Sequence, residues 1–533
     1  MTSLTAYCAC APGLQDFRRI RKNHENAARG RGTRGEPPKS DCASFRFASY
    51  YASHMVLQQK PSQAVIWGYG EVGAAVTVSL FNGSDTISKK SVPINDDAGV
   101  WKVLLDPVDH GGPYWLLAQQ RYQKDITDLA LHDLLFGDVW LCSGQSNMEM
   151  TVSQVFNASE ELAKAADYPT IRLFTAALEV SLEELDDLAK VDLQWSAPTP
   201  ENLGNGEFTY FSAVCWLFGR HLSRRLKYPI GLVESVWGGT PVEAWSSKRA
   251  LQKCGLSQHM ECASSRSMYA GPCNYTVLWN AMIHPLLNMT IKGAIWYQGE
   301  QNTGMNTDLY NCTFPALIED WRLSFHEGTN GQTDRYFPFG FVQLSTYQKS
   351  QQNDNYPVIR WHQTADYGYA PNPKMNNTFM AVAMDLGDDN SPYGCVHPRD
   401  KQTVAYRLYL GARAIAYGEK NVPFQGPFPT KFEIFYKESY INITYDQKLL
   451  ITHLSDSIFE VLCDSKDETV GGWFPVPVTS ACSNVVTVYF KGCSQISGIR
   501  YAWEDWPCEY KKCPIYSIQK KLPAPLFVEY FKK

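Results

Sequence analysis

The sequence has no long apolar run: no stretch of about 18 consecutive apolar residues occurs, which a helix would need to span a bilayer. The Cys and His spacings typical of zinc sites are missing, as is a His-Glu-x-x-His pair. An excess of one charge sign is also lacking, because 49 Lys and Arg face 54 Asp and Glu. These absences argue against a membrane span, a zinc centre and a nucleic-acid partner, and they predict a soluble globular protein.

A recognisable secretion signal is missing as well. Such a signal needs a positively charged start and an apolar core of about 7 to 15 residues, whereas residues 1–14 carry no charge and are only patchily apolar. The following residues, up to Arg34, are basic and rich in glycine. Residues 1–43 are therefore predicted to be a disordered basic segment, and a solvated tail is favoured over an RNA-binding or nuclear-import patch.

Cysteine, by contrast, is abundant. The 15 cysteines favour an oxidising compartment, and their odd number leaves at least one thiol unpaired. Asn-x-Ser/Thr sequons support the same compartment; they begin at Asn82, Asn157, Asn274, Asn288, Asn311, Asn376 and Asn442. The expected location is lysosomal or secreted, with a cytosolic form as the alternative.

The pattern of apolar residues divides the 533-residue chain into three parts after the basic segment. Short β-type runs between Pro, Gly and polar turns predict an antiparallel β domain at 45–134. Strands then alternate with helical stretches, which predicts a parallel sheet flanked by helices at 135–420. Period-two runs predict a second β domain at 421–533, where Cys508 and Cys513 are a candidate disulfide pair. The predicted fold class is α/β with β-sandwich-like domains at both ends.

A polar turn at residues 143–147 follows a predicted buried strand at 139–142. A serine in such a turn has its hydroxyl held by the scaffold yet open to a cleft, as a nucleophile requires. A plain turn built from small residues is the alternative. The run Gly-Gln-Ser-Asn-Met resembles the first sequence block of the SGNH-type esterases, in the branch of the sialate O-acetylesterases. This resemblance implies an SGNH-like fold and makes Ser146 the nucleophile.

Two further predicted strands end in residues suited to bind an oxyanion. The strand at 230–236 leads to Gly238 and Gly239, where the backbone can approach a ligand closely or simply make a tight turn. The strand at 293–297 leads to Gln298, whose amide could donate to a ligand or belong to a satisfied polar loop. Gly-Gly-Thr and Trp-Tyr-Gln-Gly-Glu are similar to the second and third blocks of that family. The resemblance implies an oxyanion hole made by one of the glycines and Gln298.

A histidine follows the last predicted strand of the sheet. His397 lies just beyond the strand at 378–386 and precedes Pro398, which suits the first position of a helix. A lone histidine can be purely structural. The run Val-His-Pro-x-x-Lys, however, resembles the last block of the family, and this implies that His397 is the base. Glu300, in the third block, is expected to fix its loop rather than to react.

The acid that would orient the imidazole departs from the wider pattern. Many SGNH enzymes carry Asp three residues before the histidine, whereas this chain has Gly394. Asp388 is the preferred acid, and Asp385, Asp389 or a backbone carbonyl are the alternatives. An altered third member lowers the rate but need not abolish it.

The resemblance runs from about Phe45 to the end of the chain. It implies hydrolysis of O-acetyl esters of free or glycan-linked sialic acids through an acetyl-serine, without a cofactor. The residues alone do not identify the sugar, because xylan and pectin deacetylases share this chemistry. Two other classes stay open: a catalytically impaired carbohydrate-binding protein, motivated by Gly394 and the many aromatics, and an RNA- or membrane-associated factor led by the basic segment.

Overall fold

The structure is a computed structural model. It describes residues 45–256, 271–349, 354–463 and 472–531. The predicted disordered basic segment at 1–43 lies outside the described residues.

The first part of the described chain is β structure. Its strands are β1 (Arg46–Phe47), β2 (Val56–Gln58), β3 (Val65–Tyr69), β4 (Ala75–Asn82), β5 (Asp85–Pro93), β6 (Val100–Leu104), β7 (Gly111–Tyr122) and β8 (Asp125–Gly144). Strands β1, β3 and β6 form one antiparallel sheet, and β5, β4, β7 and β8 are antiparallel neighbours in another. Strand β2 departs from the antiparallel prediction, because it pairs with β8 in parallel.

Strand β8 belongs to both the first part and the central sheet. Its exposure is mixed up to residue 133 and it is continuously buried from Leu134 to Gly144. A strand covered on both faces has a nearly continuous apolar sequence. The change of sequence pattern near residue 134 therefore marks a change of surroundings within one strand, and the predicted domain boundary falls inside that strand.

The central sheet consists of the end of β8 and strands β9 (Ile171–Ala176), β10 (Val191–Ser196), β11 (Ile230–Val236), β12 (Gly293–Tyr297), β13 (Phe339–Gln343) and β14 (Thr378–Val382). The strand order is β10-β9-β11-β8-β12-β13-β14. All neighbours are parallel except β10, which pairs with β9 antiparallel. The predicted strands at 230–236 and 293–297 are confirmed with these bounds.

Helices cover the sheet. They are α1 (Ser146–Glu149), α2 (Ala158–Ala163), α3 (Pro200–Leu203), α4 (Ala213–Leu226), α5 (Lys248–Lys253), α6 (Tyr310–Gly328), α7 (Asn355–His362) and α8 (Lys401–Ile415). Shorter 3₁₀ turns lie at Val152–Gln154, Ala165–Asp167, Val242–Trp245, His284–Leu286, Gln301–Thr303 and Thr307–Leu309, and a π turn lies at Trp279–Ile283. A disulfide between Cys142 and Cys215 joins β8 to α4. No helix in the described ranges has the length and hydropathy needed to cross a membrane.

Helix α8 begins later than the sequence predicts. The side chain of Asp400 accepts a hydrogen bond from the Thr403 amide at 2.9 Å and caps the helix. Because an aspartate cap satisfies the free amides of the first turn, the helix begins at Lys401. The predicted start at Pro398 is therefore wrong by three residues.

The last part of the described chain is again β structure. Its strands are β15 (Pro429–Phe435), β16 (Tyr440–Tyr445), β17 (Leu449–Ile451), β18 (Phe459–Cys463), β19 (Gly472–Val476), β20 (Val478–Cys482), β21 (Val485–Tyr489), β22 (Ile496–Tyr501), β23 (Ile515–Ser517) and β24 (Phe527–Tyr530). They form sheets β15-β16-β21-β20, β17-β23 and β19-β18-β22-β24. The predicted disulfide between Cys508 and Cys513 is present. The α/β fold class is confirmed.

Candidate active site

The carboxyl ends of the parallel strands bring the predicted site residues to one edge of the central sheet. Ser146 follows β8, Gly238 and Gly239 follow β11, and Gln298 follows β12. His397 lies in the long loop between β14 and α8. Loops at the carboxyl ends of parallel strands are where open α/β sheets place their ligands.

Ser146 and His397 are in direct contact. The Ser146 Oγ lies 2.8 Å from His397 Nε2, and His397 Nδ1 lies 2.7 Å from the carbonyl oxygen of Tyr393. A carbonyl can only accept, so a neutral imidazole carries its proton on Nδ1 and leaves Nε2 as the acceptor. In this tautomer the ring can take the proton of the serine hydroxyl.

The surroundings keep His397 neutral. Burial, and to a smaller extent the positive charge of Lys401, lower the pKa of His397 to about 4, although the hydrogen bond to Tyr393 opposes the shift. The ring of Phe208 contributes to this burial, since its centroid lies 5.0 Å from that of His397. At neutral pH the imidazole is therefore an unprotonated base.

The loop that carries His397 is a tight turn. The His397 amide donates to the Gly394 carbonyl at 2.9 Å, and the Ser391 hydroxyl donates to the His397 carbonyl at 2.6 Å. Gly394 has a φ of 91°, a conformation that L side chains rarely adopt. This backbone explains why glycine stands where many SGNH enzymes carry aspartate.

Asp388 does not reach the imidazole. Its Oδ2 accepts from Arg399 Nε at 2.7 Å and its Oδ1 accepts from Arg399 Nη2 at 3.0 Å. The carbonyl of Tyr393 occupies the position beside His397 Nδ1 instead. The structure thus corrects the prediction for Asp388: the backbone carbonyl, one of the alternatives left open, orients the ring.

The two other aspartates considered from the sequence are also engaged elsewhere. Asp385 is fully buried and accepts two hydrogen bonds from Arg407 at 2.6 and 2.8 Å. Asp389 pairs with Lys349 at 3.1 Å. Both carboxylates neutralise cations of the protein.

The glycines after β11 pass directly beside the nucleophile. A Cβ at Gly238 would lie 3.2 Å from Ser146 Cβ and 2.7 Å from an oxygen of Glu149, so a side chain here would displace the Glu149 carboxylate. The Gly238 amide donates to Glu149 at 2.7 Å. Across the described part of the chain, the amides of Ser146 and Gly239 have no acceptor. These two N–H groups are therefore candidates to bind an oxyanion.

Gln298 does not offer its amide to a ligand. Its side chain is fully buried, and Nε2 donates to the Thr240 carbonyl at 3.1 Å and to Asn302 Oδ1 at 2.7 Å. Its Oε1 accepts from the Tyr310 hydroxyl at 2.9 Å. Both amide hydrogens are therefore used to join the glycine loop to the loop after β12, and the predicted oxyanion role of Gln298 is not supported.

Sequence reasoning missed Glu149 and Asn147, which stand beside the nucleophile in the same motif. Burial raises the pKa of Glu149 to about 7, while its hydrogen bond from Gly238 opposes the shift. Asn147 donates to Glu300 Oε1 at 2.5 Å, so Glu300 fixes its loop as expected. Polar side chains directly after the serine were the available signal.

Within the described ranges, no group of three or more His, Cys, Asp or Glu side chains is placed to hold a metal ion.

Comparisons with known proteins identify the family of this chain. The family model described as "Carbohydrate esterase, sialic acid-specific acetylesterase" matches residues 136–398, and the "Sialate O-acetylesterase C-terminal domain" model matches residues 430–531. Among solved structures, a carbohydrate acetylesterase from Xanthomonas citri superposes with a TM-score of 0.73 at 27% identity. That superposition covers 91% of this chain and 99% of the bacterial one.

Mammalian relatives match nearly the whole chain. The sialate O-acetylesterase of Homo sapiens is 55% identical over 488 residues, which are 91% of this chain and 92% of the human protein. The Mus musculus enzyme is 53% identical over 510 residues, with 91% of this chain and 94% of the mouse protein covered. This chain therefore belongs to the sialate O-acetylesterase family.

Proposed function

We propose that this protein hydrolyses O-acetyl esters of sialic acids, including 9-O-acetyl esters, with Ser146 as nucleophile and His397 as general base. The observation that carries the proposal is the 2.8 Å contact between the Ser146 hydroxyl and the unprotonated Nε2 of His397. Family membership supports both the ester chemistry and the sugar. The substrate is free or glycan-linked acetylated sialic acid.

The reaction proceeds by acyl transfer. His397 Nε2 takes the proton of Ser146 as Oγ attacks the acetyl carbonyl, and the resulting imidazolium returns that proton to the departing sugar oxygen. Water, deprotonated by the same nitrogen, then attacks the acetyl-serine; the bond to Ser146 Oγ breaks, the imidazolium returns the proton to Oγ, and acetate is released. The amides of Ser146 and Gly239 are proposed to hold the negative oxygen in both steps.

The Tyr393 carbonyl sets the tautomer without adding a negative charge. A carboxylate in its place would stabilise the imidazolium and raise the pKa of the ring. The neutral carbonyl of Tyr393 also orients the ring, but it stabilises the imidazolium less than a carboxylate would. The base is therefore expected to stay unprotonated, and the enzyme active, in mildly acidic surroundings.

The disulfides support an oxidising location. Bonds join Cys142 to Cys215, Cys254 to Cys312, Cys463 to Cys493 and Cys508 to Cys513. Such bonds persist in secreted proteins and are rare in the cytosol. We extend the proposal to a lysosomal or secreted protein whose catalytic domain, at 135–420, lies between β domains at 45–134 and 421–533.

Replacement of the nucleophile tests the proposal. Ser146→Ala should lower acetate release from 9-O-acetylated sialic acid, and hydrolysis of an aryl acetate, by about 10⁴- to 10⁶-fold. Ser143→Ala is the matched control, because Ser143 is a fully buried serine of the same segment that ends β8. Retained turnover in Ser146→Ala would refute the mechanism.

Binding and acetate-release assays on the wild-type protein distinguish the proposed esterase from the alternative functions. Binding of acetylated sialic acid without acetate release would indicate a carbohydrate-binding protein. Faster release of acetate from acetylated xylan or pectin than from acetylated sialic acid would keep the mechanism and change the substrate.

A further inference from the structure

Three polar side chains form a chain of hydrogen bonds behind the Ser146 and His397 pair. Lys401 Nζ donates to Asn147 Oδ1 at 2.6 Å, and Asn147 Nδ2 donates to Glu300 Oε1 at 2.5 Å. Asn147 lies in α1 next to the nucleophile, Lys401 begins α8, and Glu300 follows β12. The chain thus connects three loops that meet at the edge of the sheet.

The same side chains also hold the main chain on both sides of His397. Asn147 Nδ2 donates to the carbonyl of Val396 at 2.8 Å. Lys401 Nζ donates to the carbonyl of Pro398 at 2.7 Å. Because Asn147 is adjacent to Ser146 in the chain, these bonds tie the residues flanking the base to the turn that carries the nucleophile.

Stability alone does not explain a lysine at this position. Lys401 is fully buried and Asn147 is 1% exposed. Burial lowers the pKa of Lys401 to about 7, although the charge of Glu300 opposes the shift, and burial raises the pKa of Glu300. Burying charge is costly, and well-packed apolar residues of similar volume often stabilise a core as well or better. A buried lysine at the active site therefore indicates a role in function.

We propose that Lys401, Asn147 and Glu300 form a positioning bridge that sets the distance between Ser146 Oγ and His397 Nε2. Lys401 has a second effect, because it is the cation whose charge acts on His397 and disfavours protonation of the ring. The proposal rests on the proposed function, since the bridge serves the reaction of that serine and histidine.

The other charges around these loops are carboxylates or neutralised pairs. Asp388 pairs with Arg399 at 2.7 Å and Asp400 pairs with Lys511 at 2.7 Å. Asp389, in the histidine loop, pairs with Lys349 at 3.1 Å. Further carboxyl groups nearby are Glu149, Glu207 and Glu300. Lys401 is thus the cation to remove when the electrostatic part of the bridge is tested.

The test compares Lys401→Met with Lys401→Gln. Lys401→Met removes both the charge and the hydrogen bonds, so kcat should fall about tenfold to a hundredfold with little change in KM. Lys401→Gln removes the charge but keeps a donor for Asn147, so its kcat should fall less. Both variants should raise the pKa of His397 by about one pH unit. The midpoint of the acid limb of the kcat/KM profile should move to higher pH by the same amount.

A lysine with an exposed partner serves as the control. Lys253 pairs with Glu319 on the surface at 3.0 Å. Lys253→Met should change neither kcat nor the acid limb. The melting temperature of each variant shows whether it folds. If Lys401→Met does not fold, Asn147→Ala replaces it. Asn147→Ala should lower kcat while leaving the acid limb of kcat/KM near its wild-type position.

The pKa of His397 can be measured without turnover. Carbon-13 NMR of protein labelled at histidine Cε1, assigned by comparison with His397→Gln, reports the titration of this ring directly. An unchanged kcat in folded Lys401→Met and Asn147→Ala variants would overturn the positioning bridge, and an unchanged His397 pKa in the folded Lys401 variants would remove the electrostatic effect of Lys401. Failure of the wild-type protein to release acetate would refute the proposed function instead, and the NMR titration would still decide the effect of Lys401.

Discussion

The turn that carries Ser146 and the loop that carries His397 meet at 2.8 Å, yet the protein holds them in different ways. Ser146 lies two residues beyond Gly144, the end of a central strand of the sheet. Backbone hydrogen bonds join the start of the turn to both neighbouring strands. The Gln145 amide donates to the Tyr297 carbonyl at 3.0 Å, and the Trp237 amide donates to the Gly144 carbonyl at 3.1 Å. The nucleophile is thus positioned by neighbouring strands.

The loop of His397 is held by side chains from distant parts of the chain. Asp400, which caps α8, accepts from the Tyr510 hydroxyl at 2.6 Å and from Lys511 Nζ at 2.7 Å. Both partners lie in the loop that the Cys508–Cys513 disulfide closes. A strand end therefore fixes the nucleophile locally, whereas the loop of the base also depends on contacts with residues more than 100 positions away, such as Tyr510 and Lys511.

The largest expected effect comes from removing the base. His397→Ala should lower kcat by about 10⁴- to 10⁶-fold, because the serine hydroxyl then has no group to take its proton. The strand contacts that hold the Ser146 turn do not involve this side chain, so the melting temperature should change little. Initial rates on an aryl acetate and a thermal scan check both statements. A loss below about tenfold would mean that another group acts as base.

Glu149 tests the nucleophile side of the comparison. Glu149→Ala removes the acceptor of the Gly238 amide, so the loop of Gly238 and Gly239 is no longer held beside Ser146. Because this loop is proposed to bind the oxyanion, kcat should fall at least about tenfold. Glu149→Gln is the matched control, because its carbonyl oxygen can still accept the same hydrogen bond. Steady-state rates of the two variants at neutral pH distinguish them, and an equal loss in both would show that the negative charge matters.

The comparison also explains which site residues could be predicted from the sequence. The strands at 230–236 and 293–297 are fully buried and mainly apolar, and Gly or polar residues lie in the loops beyond them, so both the bounds of the strands and the loops could be predicted. The turn that carries Ser146 was predictable for the same reason, because it follows a strand end. The role of Ser146 as nucleophile came instead from the resemblance of Gly-Gln-Ser-Asn-Met to a family block.

The partners of the catalytic groups were not predictable in this way. A backbone carbonyl, such as that of Tyr393, has no side chain to identify it in a sequence. Asp388 binds Arg399, eleven residues along the chain, and nothing in the spacing distinguishes that pairing from one with His397. The amide of Gln298 could face a ligand or the protein equally well, and only the positions of Thr240 and Asn302 decide which.

A smaller effect is expected from the outer support of the histidine loop. Tyr510→Phe combined with Lys511→Met removes two hydrogen bonds to Asp400, so the start of α8 loosens and kcat should fall by about fivefold. Tyr489→Phe is the control, because this tyrosine is also exposed in the last part of the chain. Measured rates check the effect. If the double variant keeps full activity, the distant contacts support the fold alone and the comparison loses its functional meaning.

The smallest expected effect is that of Asp388→Asn. Asparagine keeps the size of the side chain and one acceptor for Arg399, and Asp388 does not touch the imidazole, so kcat should fall by about threefold or less.

The pH profile of the same variant gives a second test of the role of Asp388. Since burial holds the pKa of His397 near 4, kcat/KM should fall only as the pH drops through about 4, where the ring takes up a proton and can no longer act as a base. A carboxylate that oriented the ring would favour the imidazolium, and its removal would move this limb to lower pH and lower the rate severely. An unmoved limb and a nearly unchanged rate in Asp388→Asn would therefore support the Tyr393 carbonyl as the group that orients the base.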